Sequence, residues 1–373
     1  MVVFWQMVML AWTVMCGYAV WRASTVPFLC RRLSRRTTVL IGLLLWASAF
    51  AARSLGHEAT GPLARAAGLA GITLMAALFL VAVSMLIVDV LTAFGFLLSR
   101  LAPRLRGWAL LAGLGLSAVA LVQGLRPPVV SEHEVRLPGL PAEADGTVIV
   151  ALSDLHLGAT LGAPWMAARV AQVQALRPDL VVLIGDILEG HPAPTAALLV
   201  SLRTLAAPLG VWAVTGNHEF HGGRDQSPGP LEAVGLRVLH DEWVEVRPGL
   251  VLAGIDDLTS RRRLKLQDEA MTRALSGHPP GGVVLLSHTP WQVQNAANEG
   301  AGLMLSGHTH GGQIWPFGIL VRALYPYLGG RYQVGSMSLI VSRGTGTWGP
   351  RMRLWRPSEI LRITLRAAPP TAR

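Results

Sequence analysis

Asp154, His156, Asp186, Asn217, His218, His288, His308 and His310 are the side chains whose types and spacing could do chemistry. They lie in five short motifs: Ser153-Asp154-Leu155-His156, Gly185-Asp186, Gly216-Asn217-His218-Glu219, Ser287-His288 and Gly307-His308-Thr309-His310. Imidazole and carboxylate donors without thiolate favour Mn, Fe, Zn, Ni or Co over softer ions. In Asp154-x-His156 and His308-x-His310, alternation along an extended segment puts both donors on one side, within reach of one ion. Two divalent ions about 3.5–4 Å apart can clamp the attacking and leaving oxygens of a phosphoryl displacement, and water held by them becomes a nucleophile near neutral pH. Each motif alone also reads as a turn, a helix cap or a hydrogen-bonded core histidine. Their joint occurrence in a fixed order carries the metal reading.

The elements that must position these residues are legible as apolar runs. Thr147 to Leu152, Leu180 to Ile184, Val211 to Val214, Leu250 to Ala253, Val283 to Leu286 and Leu303 to Leu305 read as buried strands. Trp165 to Leu176 and Thr195 to Leu205 have helical spacing. Strands alternating with helices indicate an α/β fold. Each motif directly follows a strand run, and the carboxyl ends of strands form the ligand crevice of such folds.

The chain has 373 residues, 51% hydrophobic and only 14% charged, with a formal net charge of +10. The apolar excess sits in the first third. Runs at 1–21, 37–52, 66–88 and 107–125 read as about four transmembrane helices, the second being short for a span. The first loop carries Arg22, Arg31, Arg32, Arg35 and Arg36, and the third carries Arg100, Arg104 and Arg106. The second holds only Arg53 and Arg65. The positive-inside rule then places loops one and three in the cytoplasm and the C-terminal part outside it. Arg31-Arg32 and Arg35-Arg36 also look loosely like a twin-arginine export signal, but a full apolar run precedes them. The expected organisation is a membrane domain at 1–126, a linker with a lead-in strand at 127–146, and a catalytic domain at 147–373. Cys16 and Cys30 are the only cysteines, so no disulfide framework or thiolate metal site is expected in the catalytic domain.

Between about Gly146 and Leu365 the motifs, with Gln313 and Val341-Ser342-Arg343-Gly344-Thr345-Gly346, resemble the calcineurin-like metallophosphoesterase superfamily, in particular a bacterial membrane-linked subgroup. The resemblance implies a four-layer α/β/β/α sandwich of two mixed sheets, here preceded by an all-α transmembrane region. It implies that Asp154, His156 and His310 hold one ion, that Asn217, His288 and His308 hold a second, and that Asp186 bridges the two. His218 would then protonate the leaving oxygen, and Asn217 would help orient the phosphate. The implied activity is hydrolysis of a phosphomonoester, phosphodiester or pyrophosphate by a hydroxide shared between two divalent ions. A phosphate substrate that is lipid-linked or part of the envelope, such as UDP-2,3-diacylglucosamine, is one expectation. That compound is made in the cytoplasm, which conflicts with the orientation read above. The expected location is a bacterial cell membrane with the catalytic domain extracytoplasmic. A non-catalytic, membrane-anchored metal-binding interaction protein is the alternative. No nucleic-acid partner is expected, because no basic stripe interleaves with aromatics.

Several residues have two readings from sequence. Asp89 inside the third apolar run is either functional or a contact to neighbouring helices. Asp256-Asp257 either holds a loop or touches substrate. His240 could pair with Asp241, and His191 and His221 could line the cleft. Arg261-Arg262-Arg263 reads as a solvated loop. Arg343, Arg351 and Arg353 read either as substrate contacts or as solvated charge.

Overall fold

The computed structural model describes residues 2–58, 61–158, 160–189, 196–220, 229–232, 235–266 and 269–367. His191 and His221 lie outside them. The chain divides into two compact units, Met1–Leu125 with Gly349–Leu354, and Arg126–Trp348 with Trp355–Arg373.

In the first unit the apolar runs form α1 (Val2–Ala23), α3 (Arg35–Glu58), α4 (Pro62–Leu91) and α5 (Ala102–Leu125), with the short α2 (Pro27–Arg32) after α1. Within α4 and α5, Ala66–Leu91 and Ala102–Leu125 are long and apolar enough to cross a membrane. The buried face of α5 is a stripe of small residues, Ala109, Gly113, Ser117 and Ala120, recurring every three or four positions. A Cβ on Gly113 would lie 2.6 Å from the Val81 Cα of α4, so the two backbones touch there, as small-residue seams permit.

Asp89, with no exposed surface, joins three of these helices. Its carboxylate lies 2.6 Å from Arg22 Nε and accepts hydrogen bonds from Arg106 Nε at 2.8 Å and the Tyr18 hydroxyl at 2.7 Å. Of the two readings of Asp89, contact to neighbouring helices is the one the structure contains. Arg22 and Arg106 therefore leave the set of free loop charges, while Arg31, Arg32, Arg35 and Arg36 remain in the first loop. Replacing Asp89 by Asn strands two buried guanidinium groups. Loss of about 3–5 kcal/mol is expected, read as a lower unfolding temperature of the detergent-solubilised chain.

Among the described residues the second unit holds twelve strands: β1 (Val129–Leu137), β2 (Val148–Leu152), β3 (Leu180–Ile184), β4 (Val211–Val214), β5 (Arg237–Val238), β6 (Glu242–Arg247), β7 (Leu250–Gly254), β8 (Gly282–Leu286), β9 (Leu303–Ser306), β10 (Gly330–Val334), β11 (Met337–Val341) and β12 (Glu359–Ala367). They form two six-stranded sheets, β1-β12-β2-β3-β4-β5 and β10-β11-β9-β8-β7-β6. β2 to β5 run parallel, as do β7, β8, β9 and β11. The segment expected as linker and lead-in strand supplies β1, paired parallel with β12 along its full length.

The central strands β2, β3, β7 and β8 are apolar on both faces, and each face has its own cover. Ile149, Ala151, Val182 and Ile184 of the first sheet meet Leu252, Val284, Leu286 and Leu305 of the second in the central core. The opposite faces, with Val150, Leu152, Val181 and Leu183, pack on Met166, Val170 and Val173 of α6 (Ala163–Ala175) and Leu198 and Leu202 of α7 (Ala196–Arg203). Val251, Ala253, Val283 and Leu285 of the second sheet pack on Leu258, Met271 and Ala296, which lie on short helices. Burial on both sides explains why the strands read as unbroken apolar runs rather than as alternating ones. The layers run α/β/β/α.

Candidate metal centre

β2, β3, β4, β8 and β9 each give way, at the carboxyl end, to one of the five motifs. The loops after β2 and β3 are joined by backbone hydrogen bonds, Asp154 N–H to Gly185 O at 3.1 Å and His156 N–H to Asp186 O at 2.9 Å. The loop after β9 is joined to the first through Asp154, whose carboxylate accepts the His308 N–H at 3.0 and 3.2 Å. Asp186 Oδ1 accepts the His218 N–H at 2.9 Å. These approaches exclude side chains at two positions. A Cβ on Gly307 would lie 2.5 Å from Asp154 Oδ2, and one on Gly216 would lie 2.2 Å from Asp186 Oδ1.

The backbone here is not the extended segment that alternation assumes. Asp154 (φ 52°), His156 (φ 46°), Asp186 (φ 49°), His308 (φ 70°) and His310 (φ 50°) all adopt left-handed conformations. Such conformations are unfavourable for residues with a Cβ and persist where the surroundings enforce them. Through this kinked geometry Asp154 and His156 still share one donor group, as expected, whereas His308 and His310 fall into different groups.

Three groups of potential donors result among the described residues, one of them His156, Glu189 and His218. Asp154, His156 and His310 present ligand atoms within 4.8 Å of one another, and so do Asp186, His288 and His308. His156 Nε2 faces His310 Nε2 at 3.1 Å, and His288 Nε2 faces His308 Nδ1 at 3.3 Å. His310 Nε2 is 3.4 Å from Asp154 Oδ1. Asp186 Oδ2 lies 3.3 Å from His288 Nε2 and 3.7 Å from His156 Nε2, so one carboxylate oxygen faces the His156–His310 and the His288–His308 groups. Among the described residues Asn217 Oδ1 is buried with no hydrogen-bond partner, an expensive state for an amide oxygen unless a cation or donor comes to it. Ring nitrogens aimed at each other beside carboxylates, together with this orphaned amide oxygen, fit divalent cations with nitrogen and oxygen ligands.

Neighbours fix the ring orientations. The His288 Nδ1–H donates to Ile184 O at 2.8 Å, leaving Nε2 for the centre. His308 Nε2 pairs with the Tyr325 hydroxyl at 2.8 Å, leaving Nδ1. Burial opposes a charge on His288, but Asp186 outweighs it and holds the imidazole well above its ordinary value. Burial would likewise raise Asp186, yet His288 and His218 hold its carboxyl well below the usual range. His218 lies edge-on to His156 with ring centroids 4.7 Å apart and its Nδ1 3.4 Å from Glu189 Oε2. Burial lowers it, but Asp186 and Glu189 prevail and lift it to about 9.

A family model described as calcineurin-like phosphoesterase matches residues 147–312. Over 271 residues the chain is 35% identical to a Bos taurus "transmembrane protein with metallophosphoesterase domain", covering 68% of this chain and 61% of that one. It is 32% identical to a metallophosphoesterase of Helicobacter pylori, covering 68% of each, and 31% identical to one of Aquifex aeolicus, covering 64% of this chain and 91% of that one. The chain belongs to the calcineurin-like metallophosphoesterase family. It spans less than two thirds of the length of the bovine relative.

Around this metallophosphoesterase centre Glu189 and Tyr325 stand outside the five motifs, and Glu219, the last residue of the third motif, has a role that its spacing does not assign. Glu189 lies 2.8 Å from His156 Nδ1 and, despite burial, is held well below the usual carboxylate range by His156 and His218. Its only signal is a carboxylate three residues after Gly185-Asp186. The Glu219 carboxylate accepts the backbone N–H groups of Asp186, Ile187, Leu188 and Gly216 at 2.7–3.0 Å, clamping the loop after β3. Tyr325, seventeen positions after its partner His308, stacks on Trp291 with centroids 5.6 Å apart. Its replacement by Phe removes the oxygen that orients His308. Metal affinity at the group that holds His308 should fall about tenfold or more, measured by metal titration of the apoprotein.

The remaining sequence readings resolve as structural contacts. His240 Nδ1 pairs with Asp256 Oδ1 at 2.8 Å rather than with Asp241, because Asp241 already accepts Arg261 and Arg273, each at 2.6 Å. Arg261 is consequently buried and not a solvated loop charge. Asp257 caps the helix Leu258–Arg263 and accepts the Thr289 hydroxyl, so the Asp256-Asp257 pair holds loops. Arg343 is ion-paired with Glu359, and Arg353 is fully buried, so neither is solvated charge.

Proposed function

We propose that this metallophosphoesterase hydrolyses a phosphoester with two divalent cations at the ends of β2, β3, β4, β8 and β9. The single observation that carries the reading is Asp186 Oδ2, which faces ring nitrogens of both donor groups. Asp154, His156 and His310 would hold one ion and Asn217, His288 and His308 the other, with Asp186 shared. The ions supply Lewis acidity and a nucleophilic water at neutral pH. The chain's own groups do the rest. Asn217 directs its amide at the phosphate. His218, protonated at neutral pH beside Asp186 and Glu189, gives its proton to the leaving oxygen. Left-handed backbone at five of the donors is consistent with a site preorganised at a cost to local stability.

The test uses the full chain in detergent, stripped of metal and reloaded with Mn. Cleavage of bis(p-nitrophenyl) phosphate should depend on the added ion and vanish with chelator. Undiminished hydrolysis by the stripped protein would sink the proposal.

The organisation read from sequence belongs to the same proposal: a membrane domain at 1–126 and a catalytic domain at 147–373 on the extracytoplasmic side. The arginine asymmetry supports it, since Arg31, Arg32, Arg35 and Arg36 lie between the first two apolar runs and only Arg53 and Arg65 between the next two. Protease added to intact spheroplasts should digest the catalytic domain; protection of that domain reverses the orientation.

A further inference from the structure

The segment that follows the last metal motif carries an apolar ridge open to solvent. Helix Gly318–Leu324 buries none of its residues. Ile319, Leu320 and Leu324 are 68, 63 and 71% exposed, and Trp315 and Phe317 just before them are 40 and 43% exposed. Trp355 extends the ridge, with its ring centroid 5.1 Å from that of Trp315. Gln313 ties the two stretches, accepting the Trp348 N–H at 3.0 Å and donating to Trp348 O at 2.9 Å. Water-exposed apolar surface of this continuity marks an interaction site.

The ridge is coupled to the metal centre at three points. A Cβ on Gly312 would lie 2.3 Å from Gly318 Cα, so the helix starts against the turn that follows His310. Thr309 Oγ1 donates to Leu328 O at 2.6 Å. Tyr325, the first residue after the helix, is the partner of His308. Whatever seats the ridge therefore sits at the rim of the site.

Its chemistry selects the occupant. Between Gln313 and Arg331 the charged residues are Arg322 and Arg331, with no acidic group. Exposed Trp and Phe beside aliphatic residues and arginine make up the composition that lies in a lipid head-group layer. A second protein would require a complementary acidic, apolar face, whereas a bilayer with anionic lipid satisfies all of these groups at once. We infer that the ridge from Trp315 to Leu324 docks on the bilayer surface and holds the metal centre's rim at head-group level, so that the phosphoester it takes is borne on a membrane-embedded molecule. This substrate class rests on the phosphoesterase reading above; the docking surface does not.

The test places the full chain, with Cys16 and Cys30 replaced by Ser, in nanodiscs of phosphatidylcholine and phosphatidylglycerol. Nitroxide labels are attached at Leu320→Cys, Leu324→Cys and, as an exposed control, Glu299→Cys. The ridge labels should relax with oxygen and be shielded from an aqueous nickel chelate, with the reverse at the control. Ridge labels reached by the chelate overturn the inference, as do labels shielded from both agents and broadened by a second label, which would mean that another copy covers the ridge. In the same nanodiscs, hexadecyl 4-nitrophenyl phosphate should be cleaved about tenfold faster than its methyl analogue, whose reacting group is identical. The variant Ile319→Ser/Leu320→Ser/Leu324→Ser should lose that preference and keep turnover of the methyl ester. Equal rates for the two esters in the unsubstituted protein overturn the substrate class. Cleavage of neither ester, with the ridge labels in lipid, overturns the phosphoesterase reading and supports the docking surface.

Discussion

Replacing Asp186 by Asn should lower phosphoester hydrolysis by at least about 100-fold and reduce the number of bound ions below two. The substitution keeps shape and takes away charge. Gly216 leaves no spare room around Oδ1, and Asn in the same rotamer still accepts the His218 N–H through its oxygen. What disappears is the anionic oxygen that faces His288 Nε2 at 3.3 Å and His156 Nε2 at 3.7 Å. Two cations held close together repel strongly in a buried site, and a shared carboxylate is the group that offsets this. The measurements are turnover of bis(p-nitrophenyl) phosphate and metal content by mass spectrometry. Full turnover with both ions retained would remove Asp186 from the bridging role.

His218→Ala should separate the leaving-group step from metal binding. General acid catalysis contributes about 100- to 10,000-fold, and only where the leaving oxygen needs a proton. Alkyl phosphoesters should therefore lose activity in that range, while 4-nitrophenyl esters, whose leaving group departs as a stable anion, should be affected far less. The pH profile carries the second signature. Asp186 and Glu189 overcome the effect of burial and lift His218 to about 9. A group with a raised value stays protonated below it, so alkyl ester turnover should hold across neutral pH and fall as pH passes about 9. The variant should lack this limb and retain its ions. Equal losses for both ester types would assign His218 a role in binding rather than in proton transfer.

Sequence was a good guide to the strands and to what ends them. Leu180–Ile184 and Val211–Val214 form β3 and β4 over the same residues that read as apolar runs. A strand buried on both faces admits only apolar side chains, and the first polar residue beyond it stands at the rim. That physical rule made all five motifs, from Asp154 to His310, visible as strand ends before any geometry was known. The four apolar runs near the N-terminus, expected as spans, all form helices, but among the described residues only Ala66–Leu91 and Ala102–Leu125 are long and apolar enough to cross a membrane.

Partnership was decided only by the tertiary structure. His156 and His310 face each other across 154 positions of chain, and periodicity does not reach that far. The left-handed backbone at Asp154, His156, Asp186, His308 and His310 contradicts the local preference of those residues and exists because neighbouring loops enforce it. Glu189, Glu219 and Tyr325 enter the site through loops whose course depends on the packed sheets, and Arg261 is buried because Asp241 lies across from it. Sequence by itself determined which residue types stand at the strand ends, since burial of the strands leaves little choice. Which of them meet, and through what backbone, followed from long-range packing, because the free energy that holds those conformations comes from contacts between segments distant in the chain.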